Sequence, residues 1–182
     1  MSREPYRQMV YGELQLRSPW FSNEWRLLQG GEELARVTRL GRIYTSVIAL
    51  ANGPRWVQQP AGTGVVQAVD EAGNEFARVT RRSWIGRRWD LTSPHFGYEL
   101  VSDPRPRRWR IEVGGAAAAT ITGSLVSYNR VDVNAAIGVP LVAELLGWHV
   151  IARPWEAVAE PRGLIPVPRP QTDQFVDPRG AI

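Results

Sequence analysis

The sequence predicts an all-β domain whose antiparallel strands wrap a single buried C-terminal helix. Three observations carry that prediction. Ala135–Ala152, AAIGVPLVAELLGWHVIA, is the most continuously apolar stretch of the chain. As a helix it has almost no polar face, so protein must enclose it. Nearly everything before it reads as short strands, with turn signals every 8–12 residues or so, the spacing of an antiparallel barrel or sandwich. A hairpin unit is also duplicated: GEELARVTR at Gly31–Arg39 returns as GNEFARVTR at Gly73–Arg81, with seven of nine positions identical.

In chain order, residues 1–9 form a flexible start and the first strand is expected near Glu13–Arg17. Trp25–Gln29 is a strand, Gly30-Gly31 a turn, and Glu33–Arg39 the returning strand. Leu34, Arg36 and Thr38 alternate there against Ala35, Val37 and Arg39, the period of two that puts one set inside. Ile43–Ala51 is a β-branched run broken by Asn52-Gly53-Pro54; Trp56–Gln58 extends a neighbour, and Pro60–Gly64 is a loop. Val65–Val69 leads into the second copy of the repeat. Short strands carrying Trp84 and Trp89 follow, then Phe96–Val101, Arg108–Val113 and Thr120–Tyr128. The helix is expected over residues 139–152, with Pro140 in its first turn and Arg153-Pro154 as its stop. Its core-facing side chains include Pro140, Leu141, Leu145, Leu146 and Trp148. Fourteen residues span about 21 Å, short of a bilayer's apolar core of roughly 30 Å. Residues 154–182 read as a proline-rich, disordered tail in which VPRP is a polyproline candidate.

Composition narrows the class. The 182 residues suffice for one domain, and 43% are hydrophobic, as in globular proteins. Cysteine is absent, which excludes disulfides and thiolate metal sites and fits a reducing compartment. The start of the chain lacks the apolar core of a secretory signal, so a cytoplasmic location is expected. The formal charge is +4 and every basic residue is arginine.

Catalytic motifs are nearly missing: HExxH, GxSxG and GxxxxGK[ST] do not occur. Gly62-x-Gly64 has Gln67 where a dinucleotide fingerprint needs its third glycine. His95 reads as a turn residue and His149 as a core histidine bonded to a carbonyl. Glu144 and His149 are five residues apart, about 140° around a helix, so they share no face; buried Glu144 is expected to find a partner. No metal site, cofactor or enzymatic activity is expected. The informative cluster is basic and aromatic: Arg81, Arg82, Trp84, Arg87, Arg88, Trp89, Arg105, Arg107, Arg108, Trp109 and Arg110. Guanidinium forks take phosphate bidentately and tryptophan favours a membrane interface. The same composition would serve single-stranded nucleic acid, and strand alternation would split it between two faces.

The hairpin series VVQAVDEAGNEFARVTRRSWIGRRWDL (Val65–Leu91), the hairpin YELVSDPRPRRWRIEV (Tyr98–Val113) and the helix VPLVAELLGWHVIA together resemble the LURP-one-related and phospholipid-scramblase-like proteins of the tubby-like superfamily. The resemblance spans residues 10–153 and implies a closed barrel of about twelve strands around a central helix. It departs from the scramblases at their acidic calcium segment: Asp132 is the lone acid between Tyr128 and Ala143, too few oxygens for calcium. The implied function is a non-enzymatic domain for anionic phospholipid headgroups, peripheral to a membrane. The alternatives are a protein-interaction adaptor using the tail and, more weakly, nucleic-acid binding.

Overall fold

The computed structural model of the chain describes residues 7–19, 22–40, 44–51, 53–82, 85 and 87–159, with side chains to residue 152. Twelve strands precede one helix: β1 (Met9–Arg17), β2 (Glu24–Gln29), β3 (Glu32–Leu40), β4 (Thr45–Leu50), β5 (Arg55–Gly62), β6 (Val65–Val69), β7 (Glu75–Arg81), β8 (Arg88–Ser93), β9 (Phe96–Ser102), β10 (Arg108–Val113), β11 (Ala116–Gly123), β12 (Arg130–Pro140) and α1 (Leu141–Ala159). Each strand pairs antiparallel with its neighbours in sequence, and β1 pairs with β12 to close the barrel. Closure leaves no free edge.

Local chemistry sets the hairpins. The first repeat turns through Gly30 and Gly31, both at positive φ (59° and 92°). The second turns through Asp70, whose Oδ1 accepts the backbone N–H of Ala72 at 3.0 Å and of Asn74 at 2.8 Å, an Asx turn. Within the repeated strands Ala35 and Val37, like Ala77 and Val79, point inward and are buried. Inner-face alanines at 35, 68, 77, 119 and 135 leave room on the axis, which α1 fills. Leu141, Leu145, Leu146 and Trp148 are fully buried there, as the sequence predicts. No helix among the described residues is long and apolar enough to cross a membrane.

The sequence reading errs where strand and helix meet. Val139 and Pro140 end β12, with Pro140 opposite Met9, and the helix starts at Leu141, whose N–H donates to the Gln8 carbonyl at 2.8 Å. Pro140 is therefore a strand terminus and not a first-turn residue. The expected strand Thr120–Tyr128 stops at Gly123, and β12, absent from the sequence reading, follows it. Its period-two pattern is present (Val131, Val133 and Ala135 inward, Asp132 and Asn134 outward), but the apolar run from Ala135 merges it with the helix. β5 runs through Pro60 to Gly62, where a loop is expected. At the other end α1 continues past Arg153-Pro154 to Ala159, about 28 Å in all, so the boundary placed at 153/154 falls inside the helix. Proline forfeits one hydrogen bond there without ending the turn sequence. Residues 1–6, residues 160–182 and Trp84 lie outside the described residues.

Two polar residues on the axial helix were also read differently. His149 is buried, and its Nδ1 lies 3.2 Å from Ser46 Oγ rather than facing only a carbonyl. Glu144 is wholly buried with no hydrogen-bond partner for either carboxyl oxygen, and burial pushes its pKa up to about 8. It stays neutral at pH 7, which removes the need for the expected cationic partner.

Folding therefore raises the affinity of Glu144 for its proton. Above the unfolded value near 4.5 the native state binds a proton that the unfolded chain lacks, so this group costs stability as pH rises toward about 8. Glu144→Leu should be more stable than the parent at pH 9, by several kcal/mol on the order of the burial cost, with the gap narrowing at pH 5. Urea melts at the two pH values test this; an equal gap would refute it. Gly147 faces Leu100, Ile111 and Ile121, and a Cβ there would sit 3.6–3.7 Å from their Cδ1 atoms, ordinary contact. Gly147→Ala should gain about 1 kcal/mol of helix propensity and raise Tm by a few degrees.

Candidate functional site

The antiparallel meander gives the barrel two chemically different ends. Odd strands finish, and even strands start, at one end; the opposite turns gather at the other. Among the described residues at the first end stand Arg17, Arg39, Arg81, Arg82, Arg87, Arg88, Arg105, Arg107, Arg108 and Arg130, against the acids Glu24 and Asp103 and, a little further along the strands but within ion-pair reach of these arginines, Asp90, Glu99 and Asp132. The second end carries Glu32, Glu33, Asp70, Glu71, Glu75 and Glu112, against Arg7 and Arg55. Apart from Arg110, the third residue of β10, the described arginines of the sequence-predicted cluster thus share one end, even though alternation sends their side chains to different faces.

Arg39 and Arg81 are equivalent positions of the repeat, and both continue the inward-facing set. The Arg39 guanidinium stacks 4.7 Å from the centre of the Trp148 ring and 5.9 Å from that of Trp25, joining β3 and β2 to the axial helix. The two indoles also meet, centroids 5.1 Å apart. Arg81 pairs across strands with Trp89 and is exposed. Its backbone N–H donates to the Gly64 carbonyl at 2.7 Å, and its Cβ would lie 3.0 Å from any Cβ placed on Gly64, which sits at φ 72°. Close packing in the β5–β6 turn, not nucleotide binding, accounts for that glycine. Trp89 and Trp109 are half-buried against the core, so their rings line the inside of the barrel mouth more than its outer surface.

The remaining arginines lie on the wall or in loops, and carboxylates accompany several. Asp90, Glu99 and Glu112 are cross-strand neighbours in one row, β8 to β9 to β10. Arg82 Nη1 reaches Glu99 at 2.7 Å and Asp90 at 3.6 Å; Arg88 lies 4.0 Å from Glu99. Arg108 and Arg110 approach Asp103 at 4.0 and 3.9 Å, and Arg110 meets Glu112 at 3.2 Å. Such half-exposed pairs are worth about 1 kcal/mol or less, so an incoming anion can compete with them. Arg107, at φ 56°, donates to the Ser124 carbonyl and stacks 4.5 Å over Tyr128; burial lowers its pKa, opposed by Tyr128. Among the described residues, no carboxylate lies at ion-pair distance from Arg81 or from the exposed loop residue Arg105.

Two grooves mark the outer wall. One of about 550 Å³ crosses β10, β11, β12 and β1 over Ala117 and Ala136, where Arg108 and Arg130 are balanced by Glu13 and Asp132. The other, about 300 Å³, holds the acidic row. Neither suits an anion. No three metal-ligating side chains converge among the described residues, and His95 lies in an exposed turn.

A solved structure shares this architecture. It is the X-ray structure of the Arabidopsis thaliana protein AT5G01750, superposing with a TM-score of 0.56 over 84% of this chain and 96% of that one, at 12% identity. At that identity the likeness establishes the fold. No protein-family model matches the sequence, and no curated protein matches it significantly.

Sequence reasoning missed Arg17, Arg39 and Arg130 as members of the arginine end, and missed the acids beside the cluster. Strand parity is the signal that would have found the first group, and it requires a correct strand count. Arg39→Ala should cost about 1–2 kcal/mol of stability through the lost stack on Trp148 and Trp25 and alter tryptophan emission; an unchanged melt would refute that role.

Proposed function

We propose that the chain is a LURP-one-related domain of the tubby-like superfamily that acts as a non-enzymatic binder of anionic phospholipid headgroups at a membrane surface. The observation carrying this reading is an imbalance of charge: arginines outnumber carboxylates where odd strands end, and acids outnumber arginines at the opposite turns. A molecule so polarised orients in the field of an anionic surface, and each arginine near that surface contributes about 1 kcal/mol. Guanidinium geometry suits phosphate oxygens. The closed barrel around an apolar helix and the likeness to the Arabidopsis structure support the superfamily assignment.

Sedimentation with vesicles of phosphatidylcholine, with and without phosphatidylserine, at two salt concentrations tests the reading. Binding should require the anionic lipid and weaken with salt. Removing two unpaired arginines, R81A/R105A, should weaken it roughly thirtyfold, about 2 kcal/mol. Glu99→Gln should strengthen it a few-fold by releasing Arg82 and Arg88. Absence of anion-dependent binding would sink the proposal, and an unchanged R81A/R105A would move the site away from this end.

A further inference from the structure

Among the described residues, the three most exposed aliphatic side chains stand at the arginine end, together with an exposed tyrosine. Val126 is 93% exposed and Leu125 70%, at the tip of the β11–β12 loop; Tyr44 is 59% exposed in the β3–β4 loop and Ile85 56% in the β7–β8 loop. These three loops follow strands 3, 7 and 11. In a closed twelve-strand meander they are four strands apart each time, so they divide the rim into thirds. Three apolar tips spaced around one rim form a tripod, with Arg81 and Arg87 flanking the Ile85 foot and Arg17 and Arg105 in the loops between feet. Toward the acidic end the exposed Met9, Tyr11, Val113 and Ile137 stand on β1, β10 and β12, within one arc of the wall and not spread around the rim.

The most exposed foot is held by its own hydrogen bonds. Ser124 Oγ accepts the N–H of Val126 at 3.2 Å and of Ser127 at 3.1 Å, a turn that holds residues 125 and 126 at its outer bend. Arg107, from the neighbouring β9–β10 loop, braces it by donating to the Ser124 carbonyl and stacking on Tyr128. Keeping two aliphatic side chains in water on a braced turn is explained if a partner buries them.

We infer that the barrel docks end-on, its three apolar tips entering the headgroup layer of an anionic bilayer while the arginines between them meet lipid phosphates. The inference rests on the lipid-binding reading above and adds orientation and penetration to it. Charge names the surface as anionic, and the tips' chemistry favours a bilayer over nucleic acid: Leu125, Val126 and Ile85 offer no ring on which a base can stack, and Tyr44 alone among the tips does.

The chain lacks cysteine, so a single introduced thiol carries a unique label. Full-length V126C and, at the acidic end, E71C are labelled with an environment-sensitive dye and mixed with phosphatidylcholine–phosphatidylserine vesicles. Label at 126 should shift to the blue and be quenched by lipids brominated near the headgroup; label at 71 should do neither. The exposed pair L125S/V126S should bind such vesicles roughly tenfold or more weakly, mostly at high salt where arginine contacts are screened. A label at 126 that stays in water on bound vesicles overturns the inference and leaves the lipid-binding reading standing. Equal burial at 126 and 71 overturns the orientation. No vesicle binding by the parent protein overturns both.

Discussion

Everything in this molecule follows from a helix that cannot face water. From Leu141 to Ala152 every residue of α1 is buried, including both polar ones. A helix apolar on all sides cannot rest on a sheet, because three of its faces would stay wet. The solution is a closed wall, and closure requires β1 and β12, the most distant strands in sequence, to pair over nearly their whole length. That single seam, between residues 9–17 and 130–140, is what lets the helix be covered and what makes the barrel an all-or-none structure. Alanines on the inner wall and a glycine on the helix set the clearance between them.

Much of this was legible in the sequence. Turn chemistry at Gly30-Gly31 and at Asp70–Asn74 marked the duplicated hairpins, and alternation separated Leu34, Arg36 and Thr38 from Ala35, Val37 and Arg39, though only the structure shows that the second set faces in. The helix announced itself by composition. What stayed hidden was β12, because a strand that ends AAIGVP runs directly into LVAELL and a single apolar run conceals a change of period. Losing one strand from the count loses the parity, and with it the knowledge of which loops share an end. The arginines were therefore visible as a cluster in sequence, but their companions Arg17, Arg39 and Arg130 were not, and neither was the row Asp90, Glu99, Glu112 that tempers them.

The interior and the ends divide the labour. Inside, polar groups are few and held quiet: Glu144 keeps its proton, and His149 meets Ser46. At the arginine end, polar groups are many and weakly committed, held by half-exposed ion pairs that an incoming phosphate can displace. Arg39 bridges the two regimes, its charge over an indole that belongs to the core helix.

The even number of strands has one more consequence. Because β12 returns to the end where β1 began, α1 must enter the barrel there, and its axis carries the chain back toward the arginine end: Trp148 and His149 already lie level with the first residues of β2 and β4. A barrel of eleven or thirteen strands would send its axial helix the other way. The axle therefore carries its own last turn, ending at Ala159, toward the arginine end, the face proposed to meet a membrane, and away from the acidic one. The first and last described stretches of the chain, Arg7 before β1 and Ala159 after the axle, thus mark opposite poles of the barrel.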